Sequence, residues 1–131
     1  MIKNNYRNLL ALLAILILPI LSYSQEGSNH LPFVTIEGKE DPNTYYLLDL
    51  NQLPGFLEKA YLLDLLFKDH SVVVMNSSIS GRTLKIASNA KIETAAVIKQ
   101  IEDYRLQALK AGQVMSESEK TDLLNKYEKY R

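Results

Sequence analysis

Two periods alternate along this chain, and the switches between them mark its elements. Over residues 44–50, Tyr46, Leu48 and Leu50 fall on one side and Tyr45, Leu47 and Asp49 on the other, the two-residue period of a half-buried strand. A shorter run at 33–37 is a second strand candidate, and the turn-forming stretch Gly38-Lys39-Glu40-Asp41-Pro42-Asn43 places the two to pair as a hairpin. After Leu53-Pro54-Gly55 the period lengthens. Phe56, Leu57, Ala60, Tyr61, Leu63, Leu65, Leu66 and Phe67 recur at helical spacing, with Glu58, Lys59, Asp64 and Lys68 as the polar complement, so a helix is expected over 56–68. The β-branched run Val72-Val73-Val74 predicts a strand at 71–77. Ser80-Gly81 then reads as a tight turn, with Gly81 supplying a positive φ, and a strand at 83–87 returns with Leu84 and Ile86 inward and Thr83 and Lys85 outward. From Glu93, Val97, Ile98, Ile101, Tyr104, Ala108 and Leu109 form one stripe of a second helix, expected to stop at Gly112. Ser116 and Glu119 have the spacing of a capping box and open a short third helix, whose narrow stripe is Leu123, Leu124, Tyr127 and Tyr130.

The order is strand, strand, helix, strand, strand, helix, helix. Its centre predicts an α+β fold of ferredoxin-like type, a βαββα core with an extra N-terminal strand and a short C-terminal helix. In that arrangement the strands at 44–50 and 71–77 run parallel with 83–87 between them, and both long helices cover one face. The final strand of the ferredoxin-like plan is missing, and the slot it would fill, beside 44–50, is where the strand at 33–37 would fall.

The first two dozen residues carry a different pattern. Lys3 and Arg7 precede an apolar run from Leu9 to Leu21, followed by Ser22 and Ser24, small residues that a signal peptidase accepts before a cut. The run contains Pro19 and is shorter than the roughly 20 apolar residues a spanning helix needs. Residues 1–24 therefore read as a signal peptide, 25–32 as a flexible lead-in, and 33–131 as one domain that is periplasmic or secreted and leaves the membrane once the signal is cut. The whole chain has 15 basic and 15 acidic side chains, and cleavage removes two bases and no acid, leaving the mature domain mildly acidic. A basic stripe suited to a phosphate backbone is missing, so no nucleic-acid partner is expected. The chain has no cysteine, which excludes disulfides, thiolate metal sites and a cysteine nucleophile.

Over roughly residues 45–104 the chain resembles a heavy-metal-associated domain of the copper-chaperone type. The resemblance rests on the strand Tyr45-Tyr46-Leu47-Leu48-Asp49-Leu50, on the hairpin with Ser80-Gly81, and on Ile92-Glu93-Thr94-Ala95-Ala96-Val97-Ile98-Lys99-Gln100-Ile101 entering the second helix. In that family a Cys-x-x-Cys pair in the loop after the first strand holds Cu(I). Here the loop is Asn51-Gln52-Leu53-Pro54-Gly55-Phe56, without a thiol, so the resemblance implies the fold and no metal or other cofactor.

Candidate chemistry is sparse. His70 beside Asp69 has the residue types of a base and its orienting carboxylate, or of a histidine that simply complements a helix C-terminus. Glu37, Glu40, Asp41 and Asp49 lack the spacing of a calcium loop and read as solvated turn residues. The stripe Leu123, Leu124, Tyr127 and Tyr130 has two readings: the short helix caps the domain's own core, or its tyrosines dock on a protein partner or a second copy. The eight tyrosines and an uncovered sheet face also suit a protein ligand. The function expected is that of a non-catalytic exported domain acting by protein–protein contact. A protease inhibitor or propeptide-like module is the alternative, favoured by an extended C-terminal tail, and a small hydrolase is a third.

Overall fold

The computed structural model describes residues 32–131 apart from Ser77. The expected signal peptide, and the lead-in as far as residue 31, lie outside the described residues. The fold is α+β: β1 (Val34–Glu40), β2 (Asn43–Asp49), α1 (Phe56–Lys68), β3 (Val72–Val74), β4 (Thr83–Asn89), α2 (Thr94–Leu109), α3 (Ala111–Val114) and α4 (Glu117–Tyr127). The four strands form one antiparallel sheet in the order β1-β2-β4-β3. Among the described residues no helix is long and apolar enough to cross a membrane.

Alternation along β2 sets the two faces of the sheet. Thr44, Tyr46 and Leu48 are fully buried while Tyr45, Leu47 and Asp49 are half-exposed. Residues directly opposite one another in an antiparallel pair share a face. Leu48 therefore lies beside Val34 and Leu84, and Tyr46 beside Ile36 and Ile86, on the face that the helices cover. Among the helices, α1 packs against α2, α3 and α4. Its buried residues are Ala60, Leu62, Leu63 and Leu66, whereas Phe67 is 44% exposed. Helical spacing alone points to Phe67 and passes over Leu62. A helix that meets a sheet and three other helices buries a wider arc than a single stripe.

Four further expectations are corrected. The first strand continues past Gly38 to Glu40 through an irregularity between Ile36 and Gly38, so the turn shrinks to Asp41-Pro42. The strand expected at 71–77 is only Val72–Val74, and its link to β4 is a loop in which Ile79 is buried rather than a tight turn. No described glycine has a positive φ, Gly81 included. Finally, α2 ends at Leu109 and Gly112 lies inside the short α3.

The capping box has the form its spacing implies. Ser116 Oγ accepts from the Glu119 N–H at 3.1 Å, and Glu119 Oε1 accepts from the Ser116 N–H at 3.1 Å. From there α4 folds back along α1. Tyr127 is 2% and Leu123 8% exposed, both in the core cluster, with Tyr130 packed against it. The Ile79 N–H donates to the Tyr130 carbonyl at 2.8 Å, tying the C-terminal turn to the β3–β4 loop.

Candidate interaction surface

The face of the sheet away from the helices is built by the outward positions of all four strands. Register aligns Thr35 with Leu47 and Leu47 with Lys85, and Tyr45 with Ala87 and Ala87 with Val73. Met75 continues the first of these rows, since its N–H donates to the Lys85 carbonyl at 2.8 Å. Val73 is 61% and Met75 49% exposed, while Ala87, small and set between Tyr45 and Val73, is buried. The outward face of an antiparallel sheet ordinarily reads polar. This one presents Tyr45, Leu47, Val73 and Met75 to solvent.

One ion pair crosses this apolar ground. Lys85 Nζ lies 3.0 Å from Glu37 Oε2 and 4.9 Å from the centre of the Tyr45 ring. Glu37 is on β1 and Lys85 on β4, so the two side chains reach toward each other over β2. Beside the pair lies a shallow groove of about 350 Å³, lined by Tyr45, Met75, Lys39, Glu40 and the paired residues. Its chemistry is an aromatic ring and a thioether among balanced charges, suited to contact with a protein surface.

The residues singled out from sequence have other duties. At the C-terminus, the Tyr127 hydroxyl donates to Asp64 Oδ1 at 2.5 Å, and the same carboxylate takes Lys68 at 2.7 Å and Lys126 at 3.2 Å. Partial burial alone would raise the Asp64 pKa, but the hydrogen bonds from Lys68, Tyr127 and Lys126 prevail and hold it below the usual value. Burial first, and then the Asp64 carboxylate, push the Tyr127 phenol well above its ordinary range. Phe67, Tyr127 and Tyr130 close a triangle of rings with centres 5.6 to 6.2 Å apart. Of the C-terminal stripe, Leu123 and Tyr127 pack inside the chain, as in the first of its two readings. Leu124 and Tyr130 are half-buried. A free stripe would leave a two-turn apolar surface in water, whereas folding back buries it and satisfies Asp64.

His70 is exposed, and its neighbour Asp69 is committed elsewhere. The Asp69 carboxylate accepts from the Ser71 N–H at 2.8 Å, from Ser71 Oγ at 2.6 Å and from the Tyr104 hydroxyl at 2.7 Å. Burial again works to raise its pKa, and these hydrogen bonds, with His70 nearby, bring it below the usual value. The arrangement closes the turn after α1 and fastens α2 to it. Asp49 accepts from the Asn51 N–H at 3.1 Å and so caps the short turn after β2, apart from Glu37 on β1. Among the described residues no group of three or more His, Cys, Asp or Glu side chains is placed to hold a metal ion.

Sequence reasoning anticipated an uncovered sheet face but not its members. The signal was present in the outward positions of β2 and β4, where Tyr45, Leu47 and Ala87 are apolar. Glu37 and Lys85 give no sign of each other, because 48 positions separate them and only the register brings them together. No protein-family model, curated protein or solved structure matches the chain.

Proposed function

We propose that this chain is an exported, non-catalytic binding module whose contact surface is the open face of its sheet. The carrying observation is the exposed apolar ground of Val73, Met75, Tyr45 and Leu47 around the Lys85–Glu37 pair. Isolated surface hydrophobics are ordinary, but a contiguous set on one flat face is what partner surfaces present. Export rests on the sequence pattern of residues 1–24. The strand order β1-β2-β4-β3 suits a ferredoxin-like plan in which β1 takes the place of the final strand, and the likeness to a heavy-metal-associated domain, in fold alone and without its thiol pair, rests on the sequence resemblance. The inhibitor-like alternative calls for an extended C-terminal tail, and here that tail is the helix Glu117–Tyr127 and a further turn.

The reading is tested by expressing the chain from Met1 in a bacterial host and recovering the exported product with whatever it binds. The product is expected to begin at Gln25. Parent and Leu124→Asp should recover the same bound protein, further copies of the chain included, and Leu47→Glu, in the middle of the open face, should lose it. Equal recovery by all three, or no bound protein with any, would overturn the assignment.

A further inference from the structure

The open face is balanced in a way that selects its partner, and we infer that it docks a second copy of this chain. The inference rests on the binding reading above and gives it an occupant. A partner with a strong net charge would gain nothing from this face, since the acid Glu37 and the base Lys85 cancel at its centre. A second copy gains from both. In a two-fold contact the same patch meets itself, so each charged group needs its opposite at the symmetry-related place. A two-fold axis running along β2 lays β1 of each copy over β4 of the other. The charged ends of Glu37 and Lys85, 3.0 Å apart over β2, then each face the opposite charge, while Tyr45 and Leu47 meet their own counterparts. The within-chain pair becomes an alternating ring of four charges over an apolar floor.

Size sets the strength. Three strands spaced about 4.8 Å apart and seven residues long at about 3.4 Å each cover roughly 350 Å² in plan. A standard stable interface buries about 800 Å² per partner. The contact is therefore smaller than a standard stable interface and forms where the chain is concentrated. At 38% and 41% exposure the ion pair adds little to folding, so either member can be exchanged without unfolding the domain.

Charge exchange and mixing provide the test. Lys85→Glu leaves the face with two acids, and Glu37→Lys leaves it with two bases. Sedimentation of the exported full-chain product at about 100 μM should show dimer for the parent, and dissociation constants raised about tenfold or more for each variant alone. Mixing the two variants should restore dimer, because a doubly acidic face then meets a doubly basic one. Circular dichroism establishes that each variant is folded, and Leu47→Glu, in the middle of the face, is the second route to the same loss. A monomeric parent, variants that associate as well as the parent, or a mixture that stays monomeric would overturn the inference. The binding reading has its own outcome: a monomeric parent that captures another protein through Leu47 refutes only the second copy, whereas capture indifferent to Leu47→Glu refutes both.

Discussion

The two faces of one sheet have opposite fates in this molecule, although both carry apolar side chains. On the helix side, Tyr46, Leu48, Leu84 and Ile86 are fully buried under α1 and its neighbours. On the open side, Tyr45, Leu47, Val73 and Met75 stay at least partly in water around an ion pair. The two-residue period of β2 assigns residues to faces but does not say which face is covered. Covering is decided by where the helices return, and all that pack here return to one side. The C-terminal helix shows the same rule from its other end: its apolar stripe has found α1, so it is core, while the open face has found no cover among the described residues.

The sharpest way to break the contrast is to truncate neighbours of opposite fate. Leu48→Ala should lower unfolding free energy by about 3 kcal/mol in urea melts, as for a fully buried leucine, and Leu47→Ala by less than about 1 kcal/mol. Similar losses at both positions would mean that the faces are not distinct. Next in size is the Asp64 junction that commits the C-terminal helix to the core. Tyr127→Phe removes a hydrogen bond to a carboxylate and should cost about 1.5 kcal/mol, read by the same melts.

Acid should weaken the same side. Asp64 and Asp69 both have folded pKa values below their unfolded ones. Each therefore contributes stability that is fully present above the unfolded value of about 4 and is lost as pH falls through the folded value. Thermal melts from pH 7 to pH 2 should fall away below about pH 4, and Asp64→Asn should flatten that decline while lowering the plateau. The smallest effect concerns the covered face itself, where the Tyr46 hydroxyl and Thr44 Oγ1 are buried without a hydrogen-bond partner among the described residues. A hydroxyl with no bond to lose contributes nothing to hold the fold, so Tyr46→Phe should leave stability within about 0.5 kcal/mol of the parent or raise it.

How far the sequence foretells these faces can be followed residue by residue. The alternation of 44–50, the bounds of α1 and the Ser116–Glu119 box are all local, set by period and by side chains three residues apart, and each reads directly from the chain. Leu62, Ile79 and Gly112 do not. Leu62 is buried because α1 packs against the sheet and other helices at once, and Ile79 because the C-terminal turn accepts a hydrogen bond from its loop, while Gly112 lies within a helix because the chain turns at Lys110 and resumes helix. The candidate surface divides the same way. Tyr45 and Leu47 follow from alternation, whereas the Glu37–Lys85 pair depends on the joint register of β1, β2 and β4. The stripe of Leu123 and Tyr127 is legible as apolar; that α1 supplies its partner is a tertiary fact carried by Asp64 and Phe67.

Tyrosines on the two surfaces allow the central claim to be put to one measurement, because Tyr45 lies on the open face and Tyr130 beside the C-terminal stripe. Hydroxyl-radical footprinting of the protein, read by mass spectrometry as concentration rises through the micromolar range, should show labelling of Tyr45 fall while that of Tyr130 stays constant. Protection of Tyr130 with Tyr45 unchanged would contradict the account and return the contact surface to the C-terminal helix.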